Sequence, residues 1–270
     1  MPALTLDYRC CDRNLPKYIK HVEVERIAAL ARQQLVAEGI DAIPFDTLCK
    51  ISGLKINGID FALEVSTDHA VHDEHGNHVF GICEFDPGVP DTAMVSISPV
   101  GENLSELLAV STFAHELGHA VFDAPGWIFE GSKGPGLFDD IEPAAQRAYR
   151  TTTPNGEHLA KLLSAKPSTV EHFAELRANE FMGSLLVPRL RLNAAVEELA
   201  CKHSITIHRG LSLDQDNPGP AIRLTAEGDL GSVDMECFEK ALATRFGVNR
   251  RFIQVRLNRY GLTVQDAVMR

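Results

Sequence analysis

Apolar residues recur at helical spacing in a few long stretches of the chain and alternate with polar ones in several short stretches. Over 21–38, Val24, Ile27, Ala31 and Leu35 form one stripe, which predicts an amphipathic helix with Gly39 as its stop. A short helix is predicted across Phe45 to Ile51, introduced by Pro44 and closed by Gly53. Leu54 to Val65 alternates loosely like strand material. Val79 to Phe85 and Ala93 to Ser98 are two further strand candidates, separated by the turn-rich DPGVPDT. From Ser105 to Phe122 the apolar face is broad, with Leu107, Val110, Phe113, Ala114, Leu117 and Val121, and Pro125 with Gly126 is expected to end it. A loop-rich stretch is expected from Ala124 to about Thr153, then a short helix at His158 to Ser164 and a long one from Thr169 to Leu186 before Pro188. Residues 204–230 mix β-like runs with the turn LDQDNPGP, and Val233 to Tyr260 reads as helical. The pattern predicts an α+β fold: helices with a small sheet, followed by a region that is mixed and then helical. No internal repeat or low-complexity segment is visible.

The helix predicted from Ser105 to Phe122 carries the chemistry. It contains HELGH, His115 to His119. Two histidines at i and i+4 lie one turn apart on one helix face, so both imidazoles can reach a single ion. Glu116 sits about 100° further round, where its carboxylate can touch a water on that ion without ligating it. This pattern points to metal-assisted hydrolysis, with zinc as the expected ion and Glu116 as general base. With 11 histidines in 270 residues, chance supplies only about 0.03 such motifs in a chain of this composition. An accidental match is therefore a poor explanation.

A third ligand is needed. An extended HExxHxxGxxH site would require Gly at 122 and His at 125, where the chain has Phe122 and Pro125. A carboxylate from a downstream helix is the other solution, and the 169–186 helix offers Glu171, His172, Glu175 and Glu180.

HELGH followed by Glu175, Ala178, Asn179, Phe181, Leu185, Leu186 and Pro188 resembles the ImmA/IrrE family of zinc metallopeptidases. The resemblance implies Glu175 as the third zinc ligand and Asn179 as a residue orienting a ligand from behind. It extends over the N-terminal helices and over the tail LATRFGVNRRFIQVRLNRYGL, similar to the helix-turn-helix-like C-terminal segment of many members. It implies a zinc metallopeptidase domain at 1–190 and a C-terminal region at 191–270. It also implies an endopeptidase that cleaves a transcriptional repressor with a helix-turn-helix domain. Stress, mobile-element or anti-phage (phage defence) regulation is the implied setting, sometimes with DNA as the activating signal. The separation of His119 from Glu175 exceeds what is usual in the family, so an insertion is expected around 124–165. The rival expectation is a non-catalytic zinc-containing regulator that binds a repressor or DNA. Such a protein has no need of Glu116.

Composition refines this picture at a few points. The apolar fraction is 44% and the charged fraction 23%, ordinary for a globular protein. The net charge of −11 disfavours a surface that coats nucleic acid. From Glu236 onward, however, seven basic residues stand against three acidic ones, leaving that segment at +4 and the remainder at −15. The basic tail, with Gly247 at its turn, could contact nucleic acid, dock a protein or cap the core. No stretch approaches the ~20 apolar residues needed to cross a bilayer. The start MPALTLDYRCCDRN lacks the marks of a signal peptide, so a cytoplasmic location is expected. Six scattered cysteines with no CxxC pair are expected to be free thiols, mostly buried. Cys83, in the strand ahead of the HELGH helix, could supply a thiolate to the zinc's open position and hold the enzyme latent. His69, His72, His75 and His78 recur every third residue, which reads as a polar hairpin or as a second metal site. Tyr149, His158 and His172 are candidates by residue type for stabilising an oxyanion.

Overall fold

The computed structural model describes residues 3–73, 75–132, 147–151, 170–211, 220–226 and 230–264. Its architecture is α+β, and the chain divides into two compact units, Met1–Leu185 and Leu186–Arg270. The sequence-based boundary was placed at 190/191.

Among the described residues, six strands of the first unit form one mixed sheet: β1 (Ala3–Leu6), β2 (Gly53–Ile56), β3 (Ile59–Ser66), β6 (Gly81–Phe85), β7 (Thr92–Ile97) and β8 (Arg147–Thr151). Their order across the sheet is β1-β2-β3-β7-β6-β8. β1 runs parallel to β2 and β3 parallel to β7, while β6 is antiparallel to both β7 and β8. The run read as one loosely alternating strand is in fact a hairpin. Asn57 and Gly58 both take positive φ, 52° and 82°, as a two-residue turn with matching twist requires. A separate ribbon, β4 (Val71–His72) with β5 (His78–Val79), pairs His72 directly with His78.

Helices α1 (His21–Leu35) and α2 (Phe45–Cys49) lie where the apolar stripes place them. Arg32 of α1 is buried, and its guanidinium donates to the carbonyls of Leu185, Ile40 and Asp41 at 2.6–2.7 Å. The Leu185 carbonyl belongs to the last turn of a helix, one of the acceptors that helix geometry leaves unused.

α3 (Glu106–Phe122) begins at Ser105, whose side chain accepts from Leu108 N. From Ala109 to Phe122 every residue is buried, a much wider surround than an amphipathic stripe implies. Its first turn differs, with Leu107 41% exposed.

Two expectations in the next segment need correction. Pro125 and Gly126 do not merely stop α3; they open α4 (Ala124–Gly131), which has proline at its first turn. A missing N–H is tolerated there. Trp127 and Ile128 on α4 are buried. The stretch expected to be loop also contains β8 at the edge of the described sheet. The rest of the expected insertion, with His158 and the helix expected at 158–164, lies outside the described residues. α5 (Val170–Leu186) matches the second long helix of the sequence.

The second unit contains α6 (Arg189–Ala200), β9 (Ile205–Leu211), β10 (Pro220–Ala226), α7 (Gly231–Phe246), α8 (Arg250–Arg259) and β11 (Thr263–Val264). β10 pairs antiparallel with β9 and parallel with β11. α7 ends at Gly247 in the left-handed conformation, and Asn249 caps α8 by accepting from Phe252 N. The core joins Leu192 and Val196 of α6, Leu224 of β10, Phe238 and Leu242 of α7, and Ile253 and Leu257 of α8. Tyr260 lies against the guanidinium groups of Arg189 and Arg256, at 4.6 and 4.2 Å. Several cations of the basic tail meet carboxylates within this unit: Arg245 with Glu198, and both Arg250 and Lys240 with Glu236. Among the described residues no helix is long and apolar enough to cross a membrane.

Candidate metal centre

The two helices that carry the candidate ligands touch at their backbones. A Cβ built on Gly118 of α3 would sit 2.9 Å from Ala178 Cα and 3.2 Å from the Ala178 carbonyl oxygen. Only a glycine at 118 allows that approach. It sets His115 and His119, which flank Gly118, opposite Glu175, which lies one turn before Ala178.

The resulting geometry is compact. His115 Nε2 and His119 Nε2 are 3.2 Å apart. Glu175 lies 3.3 Å from His115 Nε2 through Oε2 and 3.4 Å from His119 Nε2 through Oε1. A tetrahedral ion with arms of about 2.0–2.1 Å has ligand-to-ligand edges of about 3.3–3.4 Å, so the imidazole pair and the Glu175 oxygen facing each ring stand at spacings that suit one ion. Among the described residues this is the one group of three or more His, Cys, Asp or Glu side chains close enough to hold a metal. His119 is fully buried and His115 nearly so, whereas the Glu175 side chain is 23% exposed.

The protons of the site follow from the same contacts. Burial disfavours a charged His119, but hydrogen bonds to Asp123 and Glu175 and the negative charges of Asp123 and Glu116 outweigh it. Together they push its pKa up to about 9. Burial likewise opposes ionisation of Glu175, and hydrogen bonds from His115 and His119 outweigh it, holding the carboxyl well below its usual range. The metal-free centre is therefore a buried imidazolium–carboxylate pair.

Glu116 is completely buried, and its Cγ would lie 3.2 Å from a Cβ added at Gly81. The side chain thus projects toward β6. The same added Cβ would meet Thr112 Cγ2 at 2.6 Å, so glycine at 81 is what lets the strand lie this close to α3. Cys83, two residues on, shares that face by strand alternation and is fully buried. Burial, reinforced by the negative charge of Glu116 and Asp123, pushes its thiol well up. The structure does not bring Cys83 into the ligand group.

Asn179 lies one turn beyond Glu175 on α5. Its Nδ2 donates to the main-chain carbonyl of Glu175 at 2.8 Å, one turn back on the same helix. A side chain also stands behind His119: Asp123, whose Oδ2 lies 2.9 Å from His119 Nδ1. Arg177 donates to the other oxygen of Asp123 at 2.8 Å. Sequence reading missed both residues. An aspartate four positions after His119 was a usable signal, because i and i+4 share a helix face; the Arg177 contact had no local signature.

Other candidates fall elsewhere. Of the four histidines in the 69–78 tract, His72 and His78 face each other across the ribbon, ring centroids 5.9 Å apart, and among the described residues the tract gathers no set of three ligands. Asp73 holds the turn between them by accepting from the backbone N–H groups of His75 and Asn77. Tyr149 pairs with Cys83 through the backbone register of β8 and β6. His172 sits in the first turn of α5 with its ring against Phe173. The cysteines are free, but only Cys83 is fully buried: Cys10, Cys11 and Cys49 are partly exposed, and Cys201 and Cys237 are exposed. The expectation of mostly buried thiols is corrected accordingly. No family model, curated protein or solved structure matches this chain.

Proposed function

We propose that this protein is a zinc-dependent endopeptidase of the type found in the ImmA/IrrE family, and that its substrate is a transcriptional repressor with a helix-turn-helix domain. The observation that carries the reading is the cluster of His115, His119 and Glu175, whose nearest nitrogen and oxygen atoms stand 3.2–3.4 Å apart, one Glu175 oxygen facing each imidazole, with Glu116 one residue from the first ligand. Two imidazoles and one carboxylate form a donor set that suits zinc and leaves a fourth position for water or substrate. Zinc bound there would supply Lewis acidity at the scissile carbonyl and bring the pKa of water down toward about 7.

The remaining work belongs to the chain. Glu175 is held ionised, ready to ligate. His119 presents Nε2 because Asp123 accepts the proton on Nδ1. Glu116, adjacent to the ligands yet outside their set, takes a proton from the attacking water and delivers it to the departing amine nitrogen. A purely structural metal site would have no use for that carboxylate. The basic, helical C-terminal region supports a role in engaging a repressor or DNA, with repression lifted by a single cut.

The test is cleavage of a repressor-like protein encoded beside this gene, followed by intact mass with and without DNA. Wild type is expected to make one discrete cut, and Glu116→Gln none while retaining its zinc. No cut by zinc-loaded wild type under either condition would overturn the peptidase reading in favour of a non-catalytic regulator.

A further inference from the structure

The ligand triangle leaves one buried arrangement unused. Asp123 is 2% exposed, far from bulk water, and a carboxylate in that position is costly unless both its oxygens find partners. Each finds a different one. Oδ2 faces His119 Nδ1 at 2.9 Å, and Oδ1 accepts from Arg177 Nη2 at 2.8 Å. Arg177 lies on α5, two residues beyond Glu175. Glu175 itself faces the opposite edge of the His119 ring, 3.4 Å from Nε2. The contacts therefore close a ring: Glu175 to His119, His119 to Asp123, Asp123 to Arg177, and a short piece of helix back to Glu175.

We propose that Asp123 and Arg177 are positioning residues that lock α5 to α3 behind His119, so that the orientation of His119 and the placement of Glu175 are set as one unit. The inference rests on the metal-site reading above. A closed ring differs from an ordinary carboxylate behind a ligand histidine. Rotating the imidazole breaks the Asp123 contact, and sliding α5 breaks the Arg177 contact. Either motion also opens the ligand triangle. The two oxygens of Asp123 are what make the ring possible, since an amide of the same shape offers a single acceptor oxygen and cannot serve His119 and Arg177 together.

The test is zinc affinity of the full chain by chelator competition at fixed pH, with thermal unfolding of the metal-free protein measured in parallel. Asp123→Asn keeps shape and removes the second acceptor, and should weaken zinc about 10- to 100-fold. Arg177→Met should weaken it about tenfold, and Arg177→Lys, which keeps a donor, should recover most of that loss. The double variant Asp123→Asn with Arg177→Met leaves no unpaired buried charge. It should bind within about threefold of Asp123→Asn alone, because Arg177 acts through Asp123. Losses that multiply in the double variant, or wild-type affinity in Arg177→Met, would overturn the proposal. So would variants whose metal-free stability falls while zinc affinity stays unchanged. Failure of wild type to bind zinc at all would instead remove the metal-site reading on which the ring depends.

Discussion

Replacing Gly118 by alanine tests how the two ligand helices are held together. The new Cβ would lie 2.9 Å from Ala178 Cα, whereas carbon atoms pack at about 3.5–4.0 Å. The helices must therefore part by about 0.6 Å. Metal–ligand distances tolerate only about 0.2 Å, so a metal-bound centre has to reverse most of that movement. Alanine in a helix interior gains about 1 kcal/mol over glycine, and overpacking costs about 1–3 kcal/mol. The metal-free variant should accordingly be near-neutral to about 2 kcal/mol less stable. Zinc binding must restore the compressed state, so it should weaken by much of the same 1–3 kcal/mol, about 5- to 150-fold. Chelator competition reads the second quantity and denaturant unfolding of the metal-free protein reads the first. A second substitution sharpens the test. Ala178→Gly removes only the side-chain contact at 3.3 Å and leaves the backbone contacts at 2.9 and 3.2 Å, so it should not rescue Gly118→Ala. Wild-type zinc affinity in Gly118→Ala, or full rescue by Ala178→Gly, would refute the reasoning.

Two further outcomes follow from the charges around the centre. In the metal-free protein His119 titrates at about 9, above the ordinary histidine value of about 6.5, so zinc must displace a proton below that pH. Affinity should fall about tenfold per unit as pH drops from 9 toward 7, and level off above 9; chelator competition at constant ionic strength would show this, and a flat profile would contradict it. The sign for folding is the reverse. The contribution of His119 to metal-free stability is complete below about pH 6.5 and is lost as pH rises through about 9. Finally, cobalt-substituted protein should lack a thiolate-to-metal band, and Cys83→Ser should leave its spectrum unchanged, because the buried thiol lies outside the ligand group.

How much of this was legible in the sequence depends on the range of each interaction. His115, Glu116 and His119 lie within one turn and a half of helix, so spacing alone sets their relation. Glu175 was one of several carboxylates and imidazoles on its helix, and only the resemblance singled it out. Arg177 was invisible because its partner lies 54 positions away, at the junction of two other helices, with no periodicity linking the two. The fold divides in the same way. α3 and α5 carry long apolar patterns and appeared where expected. β1 is four residues long, and its partner β2 lies far along the chain, so a local window offers little to recognise. The Asn57–Gly58 turn was passed over because alternation continues on both sides of it, although the dipeptide itself was the available signal. Pro125 was read as a terminator, when its fixed φ suits the opening of α4 equally well.

The burial of α3 on every side has a consequence for how such a protein can change over generations. Most helices keep a wet face on which substitutions accumulate at little cost, within about 0.5 kcal/mol. Between Ala109 and Phe122 there is no such face, so neutral drift has almost no foothold beside the ligands. Any change in what this centre does has to be written into the segments around this helix, while the helix itself is inherited nearly as a fixed part.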